Sequence, residues 1–208
     1  MDLYSAPLSC SLASHVALIE AGLPANYHYV VLSKRQTLDG QDYLKVAPKG
    51  QVPALKLDDG EVLTEGPAVL QWIGDQNPAA KLAPPAGTMA RYRLQEWLNY
   101  LSTEVHKMVF ATLFNPAQPA EAKAFARTIV VAKFDHLSSK LEERQFLIGD
   151  DFTVADAYLG TILNWCKPAG VELSRWPVLE AYHQRLLARP AFAKAVASEV
   201  EARARMAA

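Results

Sequence analysis

Hydrophobic and polar positions change their rhythm partway along this chain of 208 residues. Up to about residue 78 the pattern switches repeatedly between short elements. "DLYS" reads as a strand, "SLASHVALIEAG" as a helix ended by Gly22, "YHYVVL" as a second strand, and "GQDYLKV" as a single helical turn. "PALKL" and "EVLTE" flank Asp59-Gly60, a hairpin signal, and "GPAVLQWIGDQNP" closes the unit as a helix that stops before Pro78. The order β-α-β-α-β-β-α predicts parallel first strands and an antiparallel last pair. Pro53 conflicts with its surroundings, because a proline at the front of a strand removes a ladder donor and pushes the segment toward a sheet edge.

"AAKLAPPAGT", residues 79–88, is a Pro-rich connector without periodicity and marks a domain boundary. Beyond it the pattern is helical throughout. Leu94, Leu98, Leu101, Val105 and Met108 recur at the spacing of a buried helix face. Similar patterns run through 119–143, 153–166, 175–188 and 190–205. The expected fold class is therefore α+β: a mixed four-stranded sheet with helices over 1–78, a linker over 79–88, and an all-α bundle over 89–208. In "FTVADAYL", Thr153 stands three residues before Asp156, ahead of an apolar run. That is a capping box, so Asp156 reads as a structural cap and not as a catalytic acid.

Composition narrows the function classes. Half the residues are hydrophobic, 21% are charged and the net charge is −1, which gives no general attraction to nucleic acid or an anionic membrane. No apolar run approaches the length of a spanning helix, and the N-terminus lacks the pattern of a signal peptide. Two cysteines, Cys10 and Cys166, are too few for a disulfide framework. The expected location is cytoplasmic.

Cys10 lies between a predicted strand and the helix beginning near Ser11. It reads either as a small buried apolar residue or as a thiol whose pKa is lowered by the helix N-terminus. Cys166, beside Trp165 in an apolar helix, is assigned to the core. Glu65-Gly66-Pro67 begins a helix whose free N–H groups suit a carboxylate. Asn99, Thr103 and His106 fall on one stripe beside the Leu98/Leu101/Val105 face, bordering a groove or an ordinary solvated flank. His106-Lys107 together favour an anion. The other histidines show no ligand spacing, and no phosphate, dinucleotide, acyl-serine or zinc motif occurs, so no metal is expected.

Taken together, "SAPLSCSLASH", "APKGQVPALKLDDG", "VLTEGPAVLQWI", "EWLNYLSTEVHK" and "FTVADAYL", in this order, resemble the glutathione transferases, and most closely the bacterial beta class. The resemblance spans nearly the whole chain and implies a thioredoxin-like first domain and an all-helical second one. Cys10 with His106-Lys107 matches the beta class, which uses cysteine where other classes use tyrosine or serine.

The resemblance also accounts for Pro53. The Val52–Pro53 bond is implied to be cis, turning Val52 so that its N–H and C=O meet the cysteinyl part of glutathione as a strand would. Glu65 and the Gly66 backbone are implied to hold the γ-glutamyl end; Gly66 lacks the hydroxyl that many relatives place there. Arg35, where a lysine is usual, is implied to reach the glycine carboxylate with Lys107 as helper, and Cys10, Ser11 and His106 to surround the sulfur. "LSC" at 8–10 replaces a more usual glycine-containing run. Asn99 or Glu104 is implied to complete the glutathione site of a second subunit in a homodimer. The implied activity is detoxifying conjugation of glutathione thiolate to small hydrophobic electrophiles, in a pocket drawing on Leu8, Phe110 and Leu113. Two alternatives remain open: Cys10-dependent thiol transfer, reductive dehalogenation or peroxidase chemistry through a glutathione mixed disulfide, or a noncatalytic binding module.

Overall fold

The computed structural model describes residues 1–207. It divides the chain into two compact units, one comprising Met1–Ala83 together with the chain from Arg189 onward, the other Pro84–Ala188.

The first unit is built on a mixed sheet of five strands in the order β3-β2-β1-β4-β5. Its elements are β1 (Asp2–Ser5), α1 (Leu12–Glu20), β2 (Asn26–Val31), β3 (Gln36–Thr37), a 3₁₀ turn (Tyr43–Lys45), β4 (Ala54–Lys56), β5 (Val62–Thr64) and α2 (Gly66–Gln76). The first two strands run parallel, with Leu3 opposite Tyr27, and β4 and β5 are antiparallel, with Leu55 opposite Leu63. The fifth strand, β3, is only two residues long and carries no alternation for a sequence pattern to register. The Asp59-Gly60 turn forms as expected, with Gly60 at φ 90° and Asp59 Oδ1 accepting from Glu61 N–H at 2.9 Å. At the end of α1, Gly22 takes φ 65°, its N–H reaches the Ile19 carbonyl and that of Leu23 reaches Leu18, which closes the helix in a Schellman turn.

Pro53 does not mark an edge. It lies immediately before β4, which is central, pairing with β1 on one side and β5 on the other. Because the proline precedes the first paired residue, Ala54, its missing N–H costs no bond within β4.

The final helix, α9 (Pro190–Ala207), groups with the sheet unit, where sequence periodicity placed it with the helical half. It packs against α1, and the Arg189 guanidinium grips Glu20 through two bonds of 2.7 and 3.0 Å. With the sheet, α2 and α9 around it, α1 is buried from Leu12 to Leu18 without interruption.

The second unit contains α3 (Met89–Tyr100), a wide-turned π-helical stretch over Leu101–Ala111, α4 (Thr112–Phe114), α5 (Ala120–Leu141), α6 (Val154–Leu163), α7 (Cys166–Ala169) and α8 (Pro177–Leu187). The wider turn changes which residues face inward. Leu101, Val105 and Val109 are buried at a spacing of four, whereas Met108, expected on the core face, is 42% exposed. A period of 3.6 residues, continued from α3, points to position 108; the lengthened turn delivers 109 instead. The capping box at Thr153–Asp156 is complete. Asp156 also accepts from Leu147 N–H at 2.9 Å and Tyr182 O–H at 2.7 Å. Burial pushes its carboxyl above the ordinary range, while these two donors and the N–H and O–H of Thr153 favour the charge.

Candidate active site

In the first unit the site residues gather where the loops leave the sheet. Cys10 is half-buried just before Ser11, the residue that caps α1. Its Sγ donates to the Val52 carbonyl at 3.2 Å. Ser11 is fully buried, and its Oγ accepts the Ala6 N–H at 3.1 Å, so its hydroxyl closes the loop beneath the thiol.

Val52–Pro53 is a cis peptide. Just before it the Tyr43 O–H donates to the Gln51 carbonyl at 2.7 Å, and Val52 packs against the buried cluster formed by Tyr4, Val30, Tyr43, Ala47 and Ala54. Glu65 caps α2 with φ 72° and ψ 115°, a conformation that side chains rarely tolerate. A Cβ added to Gly66 would lie 4.0 Å from Pro53 Cδ, so this helix start adjoins the cis peptide with room for a small side chain. Lys49 forms an ion pair with Glu65, both side chains being more than half exposed. Arg35, with φ 53°, runs past Gly50: a Cβ there would lie 3.9 Å from both Arg35 Cδ and Nε. Among the described residues, three of the four non-glycine residues with positive φ (Leu8, Arg35 and Glu65) lie at or beside residues singled out from the sequence. Such conformations cost about 1–3 kcal/mol each and collect where a site must be held in shape.

The other residues singled out from the sequence lie in the second unit. His106 is half-buried within the π-helical stretch, its Nδ1 2.8 Å from the Tyr158 hydroxyl and its ring 4.9 Å from that of Trp165. Burial, helped by the neighbouring Lys107 charge, lowers its pKa to about 4. Near neutral pH the imidazole is therefore uncharged, and of the two residues expected to favour an anion Lys107 carries the positive charge. The expected polar stripe also divides, with Asn99 and Thr103 exposed and His106 turned toward Tyr158. Glu104 pairs with Lys133 of α5 at 2.6 Å, engaging its carboxylate within the chain. Phe110 is not a pocket residue here. It is fully buried among Phe114, Phe134 and Trp165, while Leu113 is half-buried. Cys166 is buried as expected, its thiol pushed up to about 12.

Three participants went unremarked in the sequence. Lys49 and Tyr158 stand inside quoted motifs, "APKGQVP" and "FTVADAYL", and were within reach. Glu199, whose Oε2 accepts the Leu8 N–H at 2.6 Å, lies 191 positions away and offered no local signal. Among the described residues no group of three or more His, Cys, Asp or Glu is arranged to hold a metal ion, and no helix is long and apolar enough to cross a membrane.

Two family models match the chain: "Glutathione S-transferase, N-terminal domain" over residues 9–76 and "Glutathione S-transferase, C-terminal domain" over 102–190. The glutathione S-transferase GstA of Escherichia coli O157:H7 is 41% identical over 199 residues, covering 96% of this chain and 98% of that protein. Glutathione S-transferase GST-4.5 of Xanthomonas campestris is 33% identical, covering 90% and 93%. The bacterial transferase BphK, solved as a ternary complex, superposes with TM-score 0.93 at 45% identity, covering 96% of this chain and 99% of that one. A beta-class transferase of Sphingomonas chungbukensis gives 0.92 at 43% identity, covering 96% and 98%. The mixed five-stranded sheet and the helical unit thus have their counterpart in these solved structures, and the chain belongs to the glutathione S-transferase family.

Proposed function

We propose that this protein binds glutathione along the Val52 backbone and conjugates its thiolate to small hydrophobic electrophiles. The observation that carries the reading is the Val52 backbone, whose carbonyl meets the Cys10 thiol at 3.2 Å, with the Tyr43 hydroxyl holding the preceding Gln51 carbonyl and the start of α2 beside Pro53. A peptide edge fixed in this way offers one donor and one acceptor to an extended tripeptide without reorganising, which is how a strand is recognised. The α2 N-terminus, with Glu65 beside it, suits the α-carboxylate and ammonium of a γ-glutamyl group. Arg35 beside the Gly50 turn suits the glycine carboxylate.

In the reaction, the glutathione thiol loses its proton, its sulfur forms a bond to the electrophilic carbon, and the leaving group departs with the electron pair of the broken bond. Cys10 acts as a hydrogen-bond donor to the incoming sulfur. The S–H that now donates to the Val52 carbonyl is a thiol in position to be redirected. Ser11, His106, Lys107, Asn99 and Glu104 enter through the family resemblance. For His106 the role is that of a neutral imidazole, in keeping with its pKa of about 4. A homodimer, a cytoplasmic location and a detoxifying role accompany this reading.

A second reading draws on the same 3.2 Å contact. A cysteine at the peptide edge that docks glutathione is placed to attack a glutathione disulfide, forming a Cys10–glutathione disulfide and releasing glutathione thiolate. The two readings separate in one experiment. Conjugation of an aryl halide and reduction of a mixed glutathione disulfide are measured for the wild type and Cys10→Ala. Conjugation surviving within about tenfold in Cys10→Ala, with disulfide reduction abolished, assigns conjugation to the bound thiolate. Absence of both activities and of retention on immobilised glutathione in the wild type overturns the proposal.

A further inference from the structure

Glu199 is fully buried on α9, and its carboxylate faces two donors of the first unit. Oε2 accepts the Leu8 N–H at 2.6 Å, and Oε1 lies 3.0 Å from Nδ1 of His15. His15 is itself buried on α1, with its ring centroid 4.0 Å from that of Tyr27. The tie therefore joins the last helix, the first helix and the loop between β1 and α1.

That loop is unusual in its backbone. Leu8 has φ 62°, a left-handed conformation that the Cβ of an L-residue opposes. Ser9 N–H returns to the Ala6 carbonyl at 3.1 Å, and Leu12 N–H to Ser9 at 3.1 Å, so the chain passes through Leu8 directly into the turn that presents Cys10. Two residues after Leu8, the Cys10 Sγ reaches the Val52 carbonyl. A buried carboxylate is also a costly way to fill space, since an apolar side chain of similar size packs there without desolvation. What a carboxylate adds is direction: a short, charge-assisted bond to one particular N–H.

We propose that Glu199 is a positioning residue for the cysteine loop. Through the Leu8 N–H it holds Leu8 in its left-handed conformation and thereby keeps the Cys10 thiol against the Val52 backbone. The use made of that thiol rests on the transferase reading; the clamp itself does not.

The test uses the full-length protein and follows iodoacetamide alkylation of Cys10 by peptide mass spectrometry, with buried Cys166 as the internal reference. Glu199→Met keeps the length of the side chain and removes both acceptor oxygens, so the Leu8 N–H loses its bond. Released from the carbonyl, Cys10 is expected to alkylate about fivefold faster or more, the factor commanded by one such hydrogen bond, with Cys166 unchanged. Adding Leu8→Gly to Glu199→Met is expected to return the rate to within about twofold of wild type, because glycine takes positive φ without a clamp. A lower melting temperature with an unaltered Cys10 rate, or no rescue by glycine, overturns the proposal and leaves Glu199 as an anchor for α9. Where Glu199→Met does not fold, the Leu8 amide of ¹⁵N-leucine-labelled wild type decides. A downfield resonance protected from exchange upholds the clamp, and exchange at the rate of an open loop overturns it. A wild type without conjugating activity whose Cys10 rate still answers to Glu199 sinks the transferase reading alone. An active wild type with an indifferent Cys10 sinks the clamp alone.

Discussion

Asp156 and Glu199 are both fully buried carboxylates that gather backbone and side-chain donors, yet they differ in reach. Asp156 draws two of its four bonds from Thr153, three residues away, with Leu147 and Tyr182 completing the set. Glu199 spans almost the whole chain to meet Leu8 and His15. The first is a local knot at a helix start, and its loss unravels the element that contains it. The second ties elements that are remote in sequence, and what it holds is a loop carrying a reactive group. A buried acid thus serves stability where its partners are near in sequence and geometry where they are far.

The largest expected effect tests the local half of this contrast. Asp156→Ala leaves the Thr153 and Leu147 N–H groups and the Tyr182 hydroxyl without their acceptor. A loss of about 3–5 kcal/mol is expected in urea unfolding followed by the fluorescence of Trp97, Trp165 and Trp176. A loss under about 1 kcal/mol removes the knot from the account.

Acid sharpens the contrast next. His106 and His183 of the helical unit both have pKa values lowered to about 4 by burial, His183 with Nε2 2.8 Å from Asn164 Oδ1. Unfolded histidines titrate near 6.5. The folded form therefore keeps the full contribution of both groups above about pH 6.5 and loses it progressively as pH falls toward 4, by about 3 kcal/mol each at most. Stability that stays level across this window contradicts both assignments.

Gly74 offers an intermediate effect in the sheet unit. A Cβ there would stand 2.8 Å from the Ala83 Cβ, so Gly74→Ala is expected to lower stability by about 1–2 kcal/mol despite alanine's better helix propensity. A thermal scan that finds Gly74→Ala more stable than wild type shows that residues 82–83 yield freely.

The smallest effect concerns the docking edge. Gly66 has space toward Pro53, so Gly66→Ser adds a hydroxyl at the α2 N-terminus without strain. A glutathione KM lower by about 2–5-fold with kcat unchanged is expected from one added hydrogen bond. A raised KM places the γ-glutamyl group elsewhere.

The contrast between near and far partners also explains what the sequence made legible. The Thr153–Asp156 cap, the Gly22 helix end and the Asp59-Gly60 hairpin are set by residues a few positions apart, and each formed as read. Pro53 was half legible: its motif pointed to a cis peptide, but its edge reading failed because the strand begins one residue later. Val109 takes the core place expected of Met108 because the π-helical turn is a backbone property that a 3.6-residue period does not register. Phe110 read as a pocket residue, although aromatic neighbours from several helices enclose it. The place of α9 and the role of Glu199 depend on which elements meet, information carried by no local pattern.

Whether the Val52 peptide is the docking edge for glutathione is decided by titrating ¹⁵N-valine-labelled protein with glutathione. The Val52 amide is expected to shift downfield and saturably as it gains an acceptor, while Val154, buried at the start of α6, stays in place. Saturable binding that leaves the Val52 resonance unmoved would contradict the account.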